Sequence, residues 1–122
     1  MLYSEVKTMI DEIGLPSAYY AFPDGTAQEP PFVVFYYAYS DDLFADNSNY
    51  RGISNLTVEL YTDHKDPLQE AIVENVLRSH GITWAKSEAV IEAELMTQVT
   101  YTTEVLLEPE TIPSEDSNNA ED

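Results

Sequence analysis

The apolar positions along the chain change period several times, and each change marks an element. Leu2, Val6, Met9, Ile10 and Ile13 recur at helical spacing, which predicts an amphipathic helix over 2–13. Gly14 and Pro16 stop it in the usual order. Ser17 to Phe22 is short and aromatic and reads as a strand. Pro23-Asp24-Gly25 signals a turn, and Glu29-Pro30-Pro31 keeps the following residues extended. Phe32 to Tyr39 (FVVFYYAY) is unbroken apolar and aromatic sequence. Its length and β-branched content favour a strand covered on both faces, by helices on one side and a neighbouring subunit on the other.

The clearest signal runs from Leu56 to Leu77. Leu56, Val58 and Leu60 alternate with Thr57, Glu59 and Tyr61, the period of a half-buried strand. Asp66-Pro67 then offers an N-cap acceptor and a pre-set first helical residue, with Gln69 at the capping-box position. Leu68, Ala71, Ile72 and Val76 continue at helical spacing, and Gly81 stands where a C-terminal cap belongs.

Ile82 to Leu95 carries two patterns. Its alanines and glutamates favour a helix, yet Ala85, Ser87, Ala89, Ile91, Ala93 and Leu95 form a small, apolar alternate set. A strand beginning at Ile82 to Trp84 and an extended Ala89 to Leu95 are expected. Gln98 to Leu107 reads as a strand with Val99, Tyr101, Val105 and Leu107 on one face. Three strands in succession joined by short or medium loops imply an antiparallel sheet, and two helices can cover only one face of it. The expected class is α+β: a mainly antiparallel sheet of about four or five strands with two helices on one face. Residues 1–107 form the domain. Residues 108–122, with Pro109, Pro113 and almost no apolar content, are expected to be an acidic disordered tail.

Composition changes the picture mainly through charge. The chain of 122 residues has 23 acidic against five basic residues, a net charge of −18. Removing the six acids of residues 108–122 leaves −12, so the acidity is global. A field of that sign repels DNA, RNA and anionic membranes. Beside plain solubility, two readings remain: a surface that nucleic acid passes without sticking, or one that imitates nucleic acid. There is no cysteine, which excludes disulfides and thiolate ligands. No run approaches the ~18 apolar residues of a membrane span, and no basic-then-apolar leader opens the chain. A soluble protein made without export is expected.

Candidate chemistry is sparse. His64, in Asp63-His64-Lys65-Asp66, reads as part of a solvated turn, and His80 as a cation near a helix C-terminus. There is no Ser-His-Asp arrangement and no glycine-rich phosphate loop. Asp41, Asp42, Asp46, Asn47 and Asn49 make an oxygen-rich loop, but it lacks the glycine and the terminal glutamate of an EF-hand. No catalytic, cofactor-binding or metal-binding residue is assigned. Nine tyrosines and four phenylalanines could stack on bases only beside a basic groove, which five basic residues do not make. Phe44, Tyr50 and Arg51 in the long polar loop, with Phe35 and Tyr37 of the aromatic strand, are the candidate subunit or partner contacts.

Over roughly residues 1–108 the chain resembles the tail-terminator (tail-completion) proteins of phages and prophages of Gram-positive bacteria. The resemblance rests on Gly14-Leu15-Pro16 after the first helix, Pro30-Pro31-Phe32 opening the aromatic strand, and Ser40-Asp41-Asp42 to Ala45-Asp46. It continues through Tyr50, Val58-Glu59-Leu60-Tyr61-Thr62-Asp63, Lys65-Asp66-Pro67 and Gly81-Ile82. It implies a non-enzymatic virion protein at the head-proximal end of the tail, assembled in the host cytoplasm. Such a protein forms a ring, usually of six subunits, that caps the tail tube, stops its polymerisation and receives the head connector. The implied partners are further copies of itself, the tail tube protein and a head-tail connector protein, with DNA passing through the lumen without being bound. The competing readings are an acidic DNA-mimic inhibitor and another neck protein.

Overall fold

A computed structural model of the chain describes residues 1–23, 28–39 and 54–108. The order is α1 (Tyr3–Asp11), β1 (Ser17–Tyr19), β2 (Phe32–Tyr39), β3 (Ser54–Thr62), α2 (Pro67–Ser79), β4 (Trp84–Ile91) and β5 (Met96–Leu107). The strands form one sheet in the order β1-β2-β3-β5-β4. The pairings β2–β3, β3–β5 and β4–β5 are antiparallel. The class is α+β. One edge differs from the antiparallel expectation: β1 runs parallel to β2, pairing Ser17 with Val33 and Tyr19 with Phe35.

The two helices pack on one face because their apolar stripes meet the inward half of each strand. Val6, Met9 and Ile10 of α1 and Val73 and Leu77 of α2 join Val33, Phe35, Leu56, Val58, Leu60, Val99, Tyr101 and Leu107 in a single core. The registers stack these into cross-strand rows, Val33–Leu60–Val99 and Phe35–Val58–Tyr101, whose neighbouring side chains stabilise the sheet directly.

The ends of α2 are fixed by local chemistry. The Asp66 carboxylate accepts a hydrogen bond from the Gln69 amide at 3.1 Å, and Pro67 is the first helical residue. At the other end the Ile82 amide donates to the Leu77 carbonyl (3.0 Å) and the Gly81 amide to the Arg78 carbonyl (2.9 Å). Gly81 adopts φ +74°, so this is a Schellman stop, with Leu77 and Ile82 both buried in the core. Asp66→Ala should therefore lower stability by about 1 kcal/mol in urea denaturation, with Asp66→Ser close to wild type.

The region after α2 settles the ambiguity of Ile82 to Leu95. Trp84–Ile91 is a strand, whereas Glu92–Glu94 forms a 3-10 turn and not the extended chain expected there. Leu95 adopts a left-handed conformation, and β5 starts at Met96, two residues before Gln98. The small alternate set of β4 does not face the core. Trp84 packs on Tyr101, while Ala85 to Val90 are exposed along the sheet edge. After Glu108, whose amide donates to the Met1 carbonyl, the expected tail lies outside the described residues.

Candidate functional site

Each strand has a second face, and no described helix covers it. The registers bring Phe32, Tyr61, Gln98 and Ala89 into one row, Val34, Glu59, Thr100 and Ser87 into the next, and Tyr36, Thr57, Thr102 and Ala85 into a third. The face thus grades from aromatic at β2 to small and polar at β4. Hydrogen bonds cross it: the Tyr36 and Tyr61 hydroxyls donate to the Glu59 carboxylate at 3.2 and 2.8 Å, and the Gln98 amide donates to the Tyr61 oxygen at 2.8 Å. Burial, followed by the hydrogen bond to Glu59, raises the Tyr61 pKa well above its ordinary value, so Tyr61 stays a neutral donor at physiological pH.

One end of this face is a groove of about 610 Å³. Phe32 and Tyr61, stacked at 4.9 Å between centroids, form its floor, with Phe22 edge-on to Phe32 at 5.4 Å. Tyr20 and Phe22 after β1 line one wall, and Glu94, Leu95 and Met96 at the β4–β5 turn line the other. Tyr20 (φ 73°) and Leu95 (φ 56°) are the non-glycine residues with positive φ among the described residues. They stand on opposite rims and are 73% and 78% exposed. Non-glycine residues in this conformation carry a backbone cost that the surrounding structure must offset, and they cluster at functional sites.

The opposite face holds a separate charged cluster. Glu70 of α2 is 4% exposed and pairs with Lys65 at 2.9 Å and Lys86 at 2.8 Å. Lys86 also meets Glu74, and Lys65 meets Glu88 on β4, each at 2.7 Å. The Tyr101 hydroxyl donates to Glu74 at 2.9 Å. Burial alone would push the Glu70 carboxyl up, but hydrogen bonds and charge from Lys65 and Lys86 outweigh it and hold it below its ordinary value. Hydrogen bonds to Glu70 and then Glu88 push the Lys65 ammonium up to about 12. This cluster ties β4 to α2.

Of the residues expected to form contacts, Phe35 is 4% exposed within the core and Tyr37 is half-buried against Tyr3 and Tyr19. The residues of β2 on the second face are instead their alternates, Phe32, Val34 and Tyr36, of which Val34 is itself buried. Phe44, Tyr50 and Arg51, and the oxygen-rich loop, lie outside the described residues. His64 is exposed and pairs through Nδ1 with Asp63, and His80 Nε2 lies 3.1 Å from Glu12. Among the described residues no cluster of three or more His, Asp or Glu is arranged to hold a metal ion, and no helix is long and apolar enough to cross a membrane.

The groove was not legible in the sequence, because its two walls come from segments more than seventy residues apart. The nearest signal was the aromatic run Tyr19-Tyr20 and Phe22 beside the turn. Comparison with protein-family models, with curated proteins and with solved structures returned no match.

Proposed function

We propose that the chain is a structural tail terminator of the kind its sequence resembles, joined head to tail with further copies in a ring that caps a tail tube. The observation that carries this reading is the outer edge of β4, which pairs with no other strand among the described residues. β4 is the last strand of the sheet, and its six central residues, Ala85 to Val90, are exposed. Edge strands are commonly guarded by charges projecting over the edge. Here both charges of β4 are tied up in ion pairs, Lys86 with Glu70 and Glu74 and Glu88 with Lys65, and Val90 is left 66% exposed. The other edge is the unlike, three-residue β1. Two unlike edges suit a heterologous contact, which closes into a ring when the rotation allows. The acidic surface supports the same reading, since DNA slides past negative charge without adhering.

Adding the protein to its cognate tube protein should give capped tubes of limited length by negative-stain microscopy. Val90→Lys should place a guarding charge at the edge, keep the circular dichroism of the wild type and raise the protein concentration needed for capping at least about tenfold. Tube lengths indifferent to the wild-type protein would sink the proposal.

A further inference from the structure

We propose that the aromatic groove at the end of the open face is a docking site for an arginine side chain of a basic segment on a different protein. The groove has the two components that recognise a guanidinium. Its floor and one wall are aromatic, from Tyr20, Phe22, Phe32 and Tyr61, and a planar cation is attracted to such rings. Its rim is acidic, carrying Glu29, Asp63 and Glu94, with no lysine or arginine among the described residues of the lining.

The charge on this side has no cation of its own among the described residues. Lys65 and Lys86 are engaged with Glu70, Glu74 and Glu88 on the helix side. Lys7 pairs with Asp11, and Arg78 lies over Trp84 while donating to Asn75. Among the described residues Glu59, beside the floor, is held by the hydroxyls of Tyr36 and Tyr61, which fix its carboxylate without neutralising it. No described cation lies within ion-pair distance of Glu29, Glu59 or Glu94. Asp63 is paired with His64 through Nδ1.

The same charge count identifies the occupant. Of the chain's five lysine and arginine residues, four are engaged as described and the fifth, Arg51, lies outside the described residues, so a second copy has at most one cation to offer. A basic partner protein supplies what the groove lacks. Arginine fits better than lysine, because its flat guanidinium can lie on a ring while its N–H groups reach a rim carboxylate.

The test uses the full chain and a fluorescein-labelled tetra-arginine peptide, read by fluorescence anisotropy at fixed ionic strength. Glu29→Lys/Glu94→Lys should weaken binding by about tenfold or more, since two attractions become repulsions. Glu12→Lys/Glu104→Lys makes the same change in net charge away from the groove and should weaken it less than about threefold, as a screened, distant effect. Tetra-lysine should bind more weakly than tetra-arginine, and Phe22→Ala should remove most of that preference. Circular dichroism verifies that each variant is folded. Equal weakening by the two double variants would mean binding to the bulk negative field and would overturn the proposal. So would a change in oligomeric state on the groove substitutions with peptide affinity unaltered, which would assign the groove to a second copy.

Discussion

Leu60→Ala should be the most damaging single truncation in β3, lowering stability by about 2–5 kcal/mol, the range for a fully buried leucine cut back to alanine. Leu60 is completely buried, and its cross-strand neighbours Val33 and Val99 are as well. Its cross-strand neighbours are valines, whose side chains are stiff at χ1, so little relaxation on that side offsets the loss. The urea midpoint should fall with the slope of the transition unchanged, the signature of lost stability without a change in the denatured state.

The informative comparison is the adjacent residue. Tyr61 is larger, but it lies on the open face, half-buried, stacked on Phe32 and hydrogen-bonded to Glu59 and Gln98. Tyr61→Ala removes part of a ring's burial and two hydrogen bonds that water can replace, a cost of about 1–2 kcal/mol. A larger loss from Tyr61→Ala than from Leu60→Ala would mean that the second face is as tightly covered as the first.

This contrast also explains how far the sequence could be read. The strand Phe32 to Tyr39 and the cap residues Asp66, Pro67 and Gly81 sit where the pattern puts them. Each is determined locally, by side-chain alternation or by backbone chemistry at a helix end. Alternation divides a strand into two sets without saying which set the helices cover. Thus Phe35 and Tyr37 suggest contacts in the sequence but serve the core and its border, while Phe32, Val34 and Tyr36 lie on the second face. The same limit misplaces the small set of β4. As an edge strand, β4 needs no apolar side to pack, and Lys86 and Glu88 on its helix side find partners on α2 and in the turn before it. The parallel pairing of β1 and the two-walled groove depend on where separated segments return in space, which no local period encodes.

Glu70 should carry a stabilising charge whose effect depends on pH in a defined direction. Its carboxylate is buried in the protein and pairs with Lys65 and Lys86, so its pKa in the fold lies below that of the unfolded chain, about 4.3. Because the folded pKa is the lower, the stabilisation is fully present above about pH 4.3 and is lost as pH falls through the folded value. Glu70→Gln keeps the shape and removes the charge. At pH 7 the variant should be less stable by about 1–3 kcal/mol, the worth of hydrogen bonds to a charged group discounted for two half-exposed lysines. As pH falls, Glu70 becomes protonated and nearly isosteric with glutamine, so the wild-type and variant curves should converge in the acid range. Comparing the pair cancels the background from the other carboxylates, which both proteins share. A gap in urea-derived stability that stays constant from pH 7 into that range would show that Glu70 acts through packing alone, and that the charged tie between α2 and β4 does not hold the edge strand.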